Sequence, residues 1–110
     1  MTNIPFDEWK KMDFRVAEIV DVQDHPQADR LYVLQVDLGE EKRTLVAGLK
    51  QHYEKDDLLG RKVIVFANLQ PAELRGVMSH GMVLAAVEED GEKVVLLTPE
   101  EDIAVGARIR

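Results

Sequence analysis

The chain has 110 residues, 45% hydrophobic and 32% charged, with no cysteine and a formal net charge of −7 at pH 7. This is one domain with enough apolar content to fold, and the missing cysteines exclude disulfide frameworks, thiolate zinc sites and thiol catalysis. No apolar run approaches the ~20 residues of a membrane helix, and Met1 to Asp13 lacks a basic-then-apolar leader, so a cytoplasmic protein is expected.

Pro5 to Met12 reads as a short helix. Pro5 suits the first helical position, Asp7 and Glu8 favour the positive end, and Lys10 and Lys11 the negative end. Phe6, Trp9 and Met12 share one side, and a helix this short holds only when that side docks, on its own barrel or on a partner subunit. Trp9 reads first as a core anchor. Phe14 to Gln23 is a strand whose alternation breaks at Glu18 and Ile19, where a β-bulge would bend it. Asp24 to Arg30 is a polar connection containing Pro26, which has no place in a central ladder. Leu31 to Leu38 resumes strand character with Tyr32, Leu34, Val36 and Leu38 on one face. Gly39-Glu40-Glu41 turns the chain into a third strand, Arg43 to Ala47.

Gln51 to Leu59, polar and free of β-branched residues, reads as a short helix or helical turn. Lys62 to Ala67 is a fourth strand, apolar on both parities and so covered on both faces. Asn68 to Met82 is too rich in Pro, Gly and small polar residues for an ordinary helix or strand. It is also longer than the ~4–6 residues of most connections. A long loop between two apolar strands is where binding residues tend to sit. Met82 to Val87 is a fifth strand, and Asp90-Gly91 turns it into Lys93 to Leu97. Ile103-Ala104-Val105 is the last apolar stretch. Glu88 to Asp102 holds seven acids against Lys93, so this run supplies −6 of the −7 and the remainder is near balance.

Three strands, a helical turn, two strands and a C-terminal β extension describe an all-β, OB-type five-stranded barrel, with another small β-barrel as the competing reading. In this fold ligands meet the second and third strands and the loops joining strands 1–2 and 4–5. Asp24 to Arg30 and Leu69 to Gly81 fall in those two loops. Ser79 and His80 are sequence neighbours, which is no evidence for a catalytic dyad, and His25, His52 and His80 lack metal-ligand spacing.

The same loops carry a resemblance. His25 to Gly39 is similar to a signature His-Pro-x-Ala-Asp-Lys/Arg-Leu, and Ala67 to Met82 to Asn-Leu…Leu-Arg-Gly-x-x-Ser-x-Gly-Met. These belong to the tRNA-binding domain of methionyl-tRNA synthetases (C-terminal or beta-subunit type), which also occurs in stand-alone tRNA-binding proteins and a secretion-chaperone-like group. The resemblance runs from about Asp13 to the C-terminus. It implies an OB fold, structure-directed tRNA binding, no catalysis and no cofactor. For stand-alone members it also implies a homodimer joined through segments outside the barrel core. In this chain those are residues 1–13 and 93–110, with the whole of 1–110 as one domain.

Residue by residue, Arg30 takes a Lys/Arg position of the first signature, as a phosphate contact or a solvated loop charge. Arg75 matches the Leu-Arg-Gly arginine, for a bidentate phosphate grip or for bonding loop carbonyls. Ser79 could bond a phosphate or 2′-OH, and Met82 could lie against a sugar or base or begin the core of the fifth strand. Asn68 fits loop scaffolding better than a base edge. Lys50, His52 and Lys62 are accessory cations. Glu73, beside Leu74-Arg75 where many relatives carry a base, opposes a phosphate. Tyr32 and Tyr53 are too few for base stacking, which favours recognition of folded RNA by shape and backbone. The competing function is a chaperone-like dimer that binds unfolded polypeptide.

Overall fold

The computed structural model describes residues 1–110. In chain order its elements are α1 (Phe6–Trp9), β1 (Phe14–Asp24), β2 (Tyr32–Asp37), β3 (Lys42–Ala47), α2 (Lys55–Leu58), β4 (Lys62–Phe66), β5 (Ala72–Leu74), β6 (Val77–Ser79), β7 (Met82–Val83), β8 (Ala85–Val87) and β9 (Val94–Leu96). Five of them form an antiparallel sheet in the order β3-β2-β1-β4-β7. β1 is the longest strand and gives its two halves to different neighbours, so it must serve them in different directions. Phe14 to Glu18 pairs with β4 and Glu18 to Asp24 with β2. The register shifts between Ile19 and Asp21, a bulge at the predicted break in alternation. It lets the strand bend from one neighbour to the other.

Alternation decides what fills the barrel. Tyr32, Leu34, Val36 and Leu38 are all buried, as the period of two requires, and join Ala17, Ile19, Leu45, Leu58, Val63 and Val65 in one cluster. Each fully buried Leu here is worth ~2–5 kcal/mol against truncation to Ala. Leu58 reaches the cluster from α2, a single turn fixed by a reciprocal capping box between Glu54 and Asp57.

The barrel seam lies between β3 and the segment Ser79 to Gly81. The His80 N–H donates to the Thr44 carbonyl at 2.9 Å. One step along, the Val46 N–H donates to Ser79 Oγ at 3.0 Å, and that hydroxyl donates to the Gly81 carbonyl at 2.9 Å. A buried side chain thus stands in for a missing ladder carbonyl. Gly81 is required at this seam: a Cβ there would lie 2.9 Å from the Phe66 carbonyl oxygen, and its φ is +137°.

Three elements differ from expectation. The segment between the fourth and fifth strands contains a hairpin, β5–β6, with Leu74 opposite Val77. The fifth strand divides at Leu84, whose N–H bonds Ile64 while its carbonyl accepts from Leu97, so the chain leaves β4 to build the separate β8–β9 pair. The last segment to pair is not Ile103 to Val105 but its successor: Gly106, Ala107 and Ile109 bond Val16 and Phe14 of β1. There the chain covers the edge of β1 that β2 does not reach. Trp9 is not a core anchor. It is 37% exposed, stacked on Phe14 at 5.4 Å, with Phe14 in turn 4.6 Å from Phe66.

Candidate nucleic-acid interface

The polar connection after β1 and the β5–β6 hairpin meet at one rim of the barrel, and a histidine joins them. His25 is 5% exposed. Its Nδ1 faces the Gln27 N–H at 3.0 Å and its Nε2 the Leu74 carbonyl at 2.9 Å. Since the amide can only donate and the carbonyl only accept, the partners assign the proton to Nε2. A second tie runs parallel to the first: Arg75 Nη2 donates to the Gln27 carbonyl at 3.3 Å. The hairpin is therefore pinned to the neighbouring loop at two successive residues, Leu74 and Arg75.

The tip is a two-residue turn in which Arg75 has φ +53° and Gly76 +92°, the double positive φ of a type I′ turn. Arg75 is the only non-glycine residue of the chain at positive φ, at a cost of about 1–2 kcal/mol relative to the right-handed region. Its exposed side chain is thus held out from a strained, tethered turn. Arg30, three residues beyond Gln27, is exposed and forms no ion pair. The two guanidinium-bearing segments share one rim and neither is covered by protein.

Other cations gather at the base of this rim. Asp24, the last residue of β1, lies 3.2 Å from Lys50 Nζ and 3.3 Å from Lys55 Nζ. Hydrogen bonds from those two ammonium groups hold its carboxyl below the usual carboxylate value. His52, between the two lysines in sequence, is exposed. Lys55 was not among the predicted cations, and nothing in the sequence joined its short helix to the end of β1. Tyr32 pairs with Asp24 on one side and with Ala47 on the other, so the rim continues toward the Ala47–Leu49 segment. There Met82, 48% exposed, lines an apolar trough of about 350 Å³ with Val46, Leu49, Val83 and Val94.

Three predicted contacts lie elsewhere or are already engaged. Ser79 is buried, with both its bonds in the seam. Asn68 is a scaffold: Oδ1 accepts the Asp13 N–H at 2.8 Å and Nδ2 donates to the Lys11 carbonyl at 2.7 Å, fastening the end of the N-terminal segment to β4. Lys62 pairs with Glu18, midway along β1, roughly 20 Å of strand from Asp24. Its ammonium bonds Asp102 at 2.7 Å and the Ile103 carbonyl at 2.5 Å, which holds the Asp102 carboxyl below its usual range. Neither tyrosine offers a stacking face: Tyr32 is buried with its hydroxyl donating to the Tyr53 carbonyl, and Tyr53 Oη accepts the Leu96 N–H. His25 was not among the predicted contacts, although it opens the first signature; that place, before Pro26 in a polar loop, was the available signal.

A nearly closed five-strand antiparallel barrel with two cationic loops joined at one rim defines the OB class of ligand-binding modules. Within it, the chain belongs to the family described as "Putative tRNA binding domain", whose profile matches residues 14–108. It is 59% identical over 107 residues to a methionine–tRNA ligase of Thermococcus onnurineus, covering 97% of this chain and 14% of the ligase. It is 56% identical over 110 residues to the ligase of Pyrococcus furiosus, covering 100% of this chain and 15% of that protein. The chain therefore spans about one seventh of these relatives' length. Among solved structures it resembles a MetRS-related protein from Pyrococcus horikoshii, with TM-score 0.93, 35% identity and full coverage of both chains. It also resembles the chaperone CsaA of Bacillus anthracis, with TM-score 0.88, 26% identity and coverage of 99% of this chain and 100% of that one.

Proposed function

We propose that this chain is a noncatalytic module that binds folded tRNA by its backbone, alone or beside a methionyl-tRNA synthetase, in the translation machinery of the cytoplasm. The observation that carries the reading is the tethering of Leu74 and Arg75 to the His25–Gln27 loop, which presents Arg75 and Arg30 from one rim. Guanidinium groups suit phosphate oxygens geometrically, and the absence of an exposed aromatic pair on the rim favours shape over base stacking. Arg30, Arg75, Lys50, Lys55 and His52 form the contact set, with Met82 flanking it; Ser79, Asn68 and Lys62 support the fold around it. The acids from Glu88 to Glu92 belong to the tip of the separate β8–β9 hairpin.

The module works as a homodimer in this reading. Phe6, 68% exposed, joins Trp9, Met12 and Ile109 around an open cleft of about 340 Å³, and Val87 of β8, Val95 of β9 and Leu97 just beyond it are exposed. All of these but Val87 fall in the segments 1–13 and 93–110.

Filter binding with bulk tRNA tests the function. About four phosphate contacts give a log–log dependence on salt with slope near −3, and Arg75→Ala weakens binding. The apolar trough beside Met82 favours a second reading, capture of unfolded polypeptide. Competition decides between them: if unfolded polypeptide displaces the ligand and tRNA binds without salt dependence, the RNA reading is wrong.

A further inference from the structure

We propose that His25 is a positioning residue for RNA binding: it does not touch the ligand but locks Arg75 into register with Arg30. This rests on the tRNA-binding reading of the same rim. The case begins with burial. A histidine 5% exposed in an otherwise polar surface loop has a hydrogen-bond partner at each ring nitrogen, and the partners belong to different loops. Gln27 is in its own loop and Leu74 is 49 positions away. No other side chain bonds this loop to the hairpin except Arg75 itself, through Gln27 at 3.3 Å. When that guanidinium turns outward to a phosphate, the parallel tie is lost, and His25 alone keeps the hairpin against the loop.

The three-residue β5 and β6 strands pair only with each other, and an isolated two-stranded hairpin is marginal in water. Without the histidine, the tip is free to swing on Ser79 and the end of β4. Arg75 then no longer meets its phosphate while Arg30 is seated on another, because the ordering that the fold supplies would have to be supplied on binding. Imidazole suits the task because one rigid ring offers an acceptor and a donor at opposite ends.

The ring's two functions separate by substitution. His25→Gln keeps a donor at the reach of Nε2, toward Leu74, and loses the acceptor. His25→Asn keeps an acceptor near Nδ1, toward Gln27, and cannot reach Leu74. With urea melts confirming that both are folded, His25→Gln is expected to bind tRNA within about threefold of wild type. His25→Asn is expected to lose about tenfold, one charge-assisted contact's worth, with the salt slope shallower by about one. Combined with Arg75→Ala, it is expected to cost no further affinity, because its effect runs through that side chain. Additive losses, an unchanged slope, or equal losses in the two histidine variants overturn the proposal. Should both variants unfold, nitrogen NMR of the wild-type imidazole decides: a proton on Nε2 supports the latch, and one on Nδ1 refutes it. If Arg75→Ala leaves wild-type binding intact, the interface itself is misplaced, which is a different failure from a latch that is absent.

Discussion

Replacing Ser79 by Ala separates a seam residue from an RNA contact. The hydroxyl accepts the Val46 N–H at 3.0 Å and donates to the Gly81 carbonyl at 2.9 Å, both in the buried strip where β3 closes on the segment before β7. Alanine removes both bonds, and the close packing of Gly81 against Phe66 and Leu45 leaves little space for a replacing water. A buried N–H without a partner costs ~1–3 kcal/mol beyond the modest worth of the bond itself. The sum is about 2–3 kcal/mol, or roughly 10 °C in Tm for a domain of this size. Urea and thermal melts at one fixed protein concentration read the stability, and filter binding well below the lowered Tm reads the affinity. The expected outcome is a large loss of stability with tRNA affinity within about twofold of wild type. An Ser79→Ala protein of wild-type stability that fails to bind tRNA would refute the reasoning, since the hydroxyl would then be facing the ligand.

Three further outcomes follow from the geometry. Arg75→Gly relieves the positive φ at the turn, so it should melt no lower than wild type while binding tRNA as weakly as Arg75→Ala; a lower Tm would show that the arginine stabilises the tip. Glu73→Lys, on the exposed β5 strand two residues before Arg75, should strengthen tRNA binding and steepen the salt slope by about one, measured by filter binding from low to moderate salt. The Asp13 carboxyl is held below its ordinary 3.8 first by hydrogen bonds from Arg15, both 2.9 Å long, against an opposing effect of burial. A group depressed on folding stabilises above its unfolded value and loses that contribution as pH falls through the folded one. The destabilisation by Asp13→Asn should therefore be full above about pH 5 and shrink steadily below 3.8; urea melts that give the same difference at every pH would contradict it.

The barrel was legible because burial imposes a period of two on strands such as β2, where Tyr32, Leu34, Val36 and Leu38 had to share a face. The bulge showed through for the same reason, as the place where that period fails. The β5–β6 hairpin was hidden because its strands are three residues each and mostly exposed, so burial writes no pattern into them. Its turn carries an arginine where a type I′ turn usually has Asn, Asp or Gly. That the two loops neighbour each other was legible from topology, yet the roles within them depend on distances that sequence does not encode. Ser79 looks like a ligand contact in a polar loop and bonds the chain instead, whereas Asn68 reads better as scaffolding and bonds the chain accordingly. His25 looks idle and proves to be the joint between the loops. The C-terminal pairing to β1 was not visible because Gly106-Ala107 has too little apolar character to reveal a strand-like segment.

Amide chemical shifts of the 15N-labelled protein, followed as tRNA is added, locate the interface without altering a residue. Changes should centre on Gln27 to Arg30, Leu74 to Gly76 and Lys50 to His52, and fade as salt is raised. Changes centred instead on Lys62, Thr98 and Asp102, with the two joined loops unmoved, would contradict the rim as the place where RNA is held.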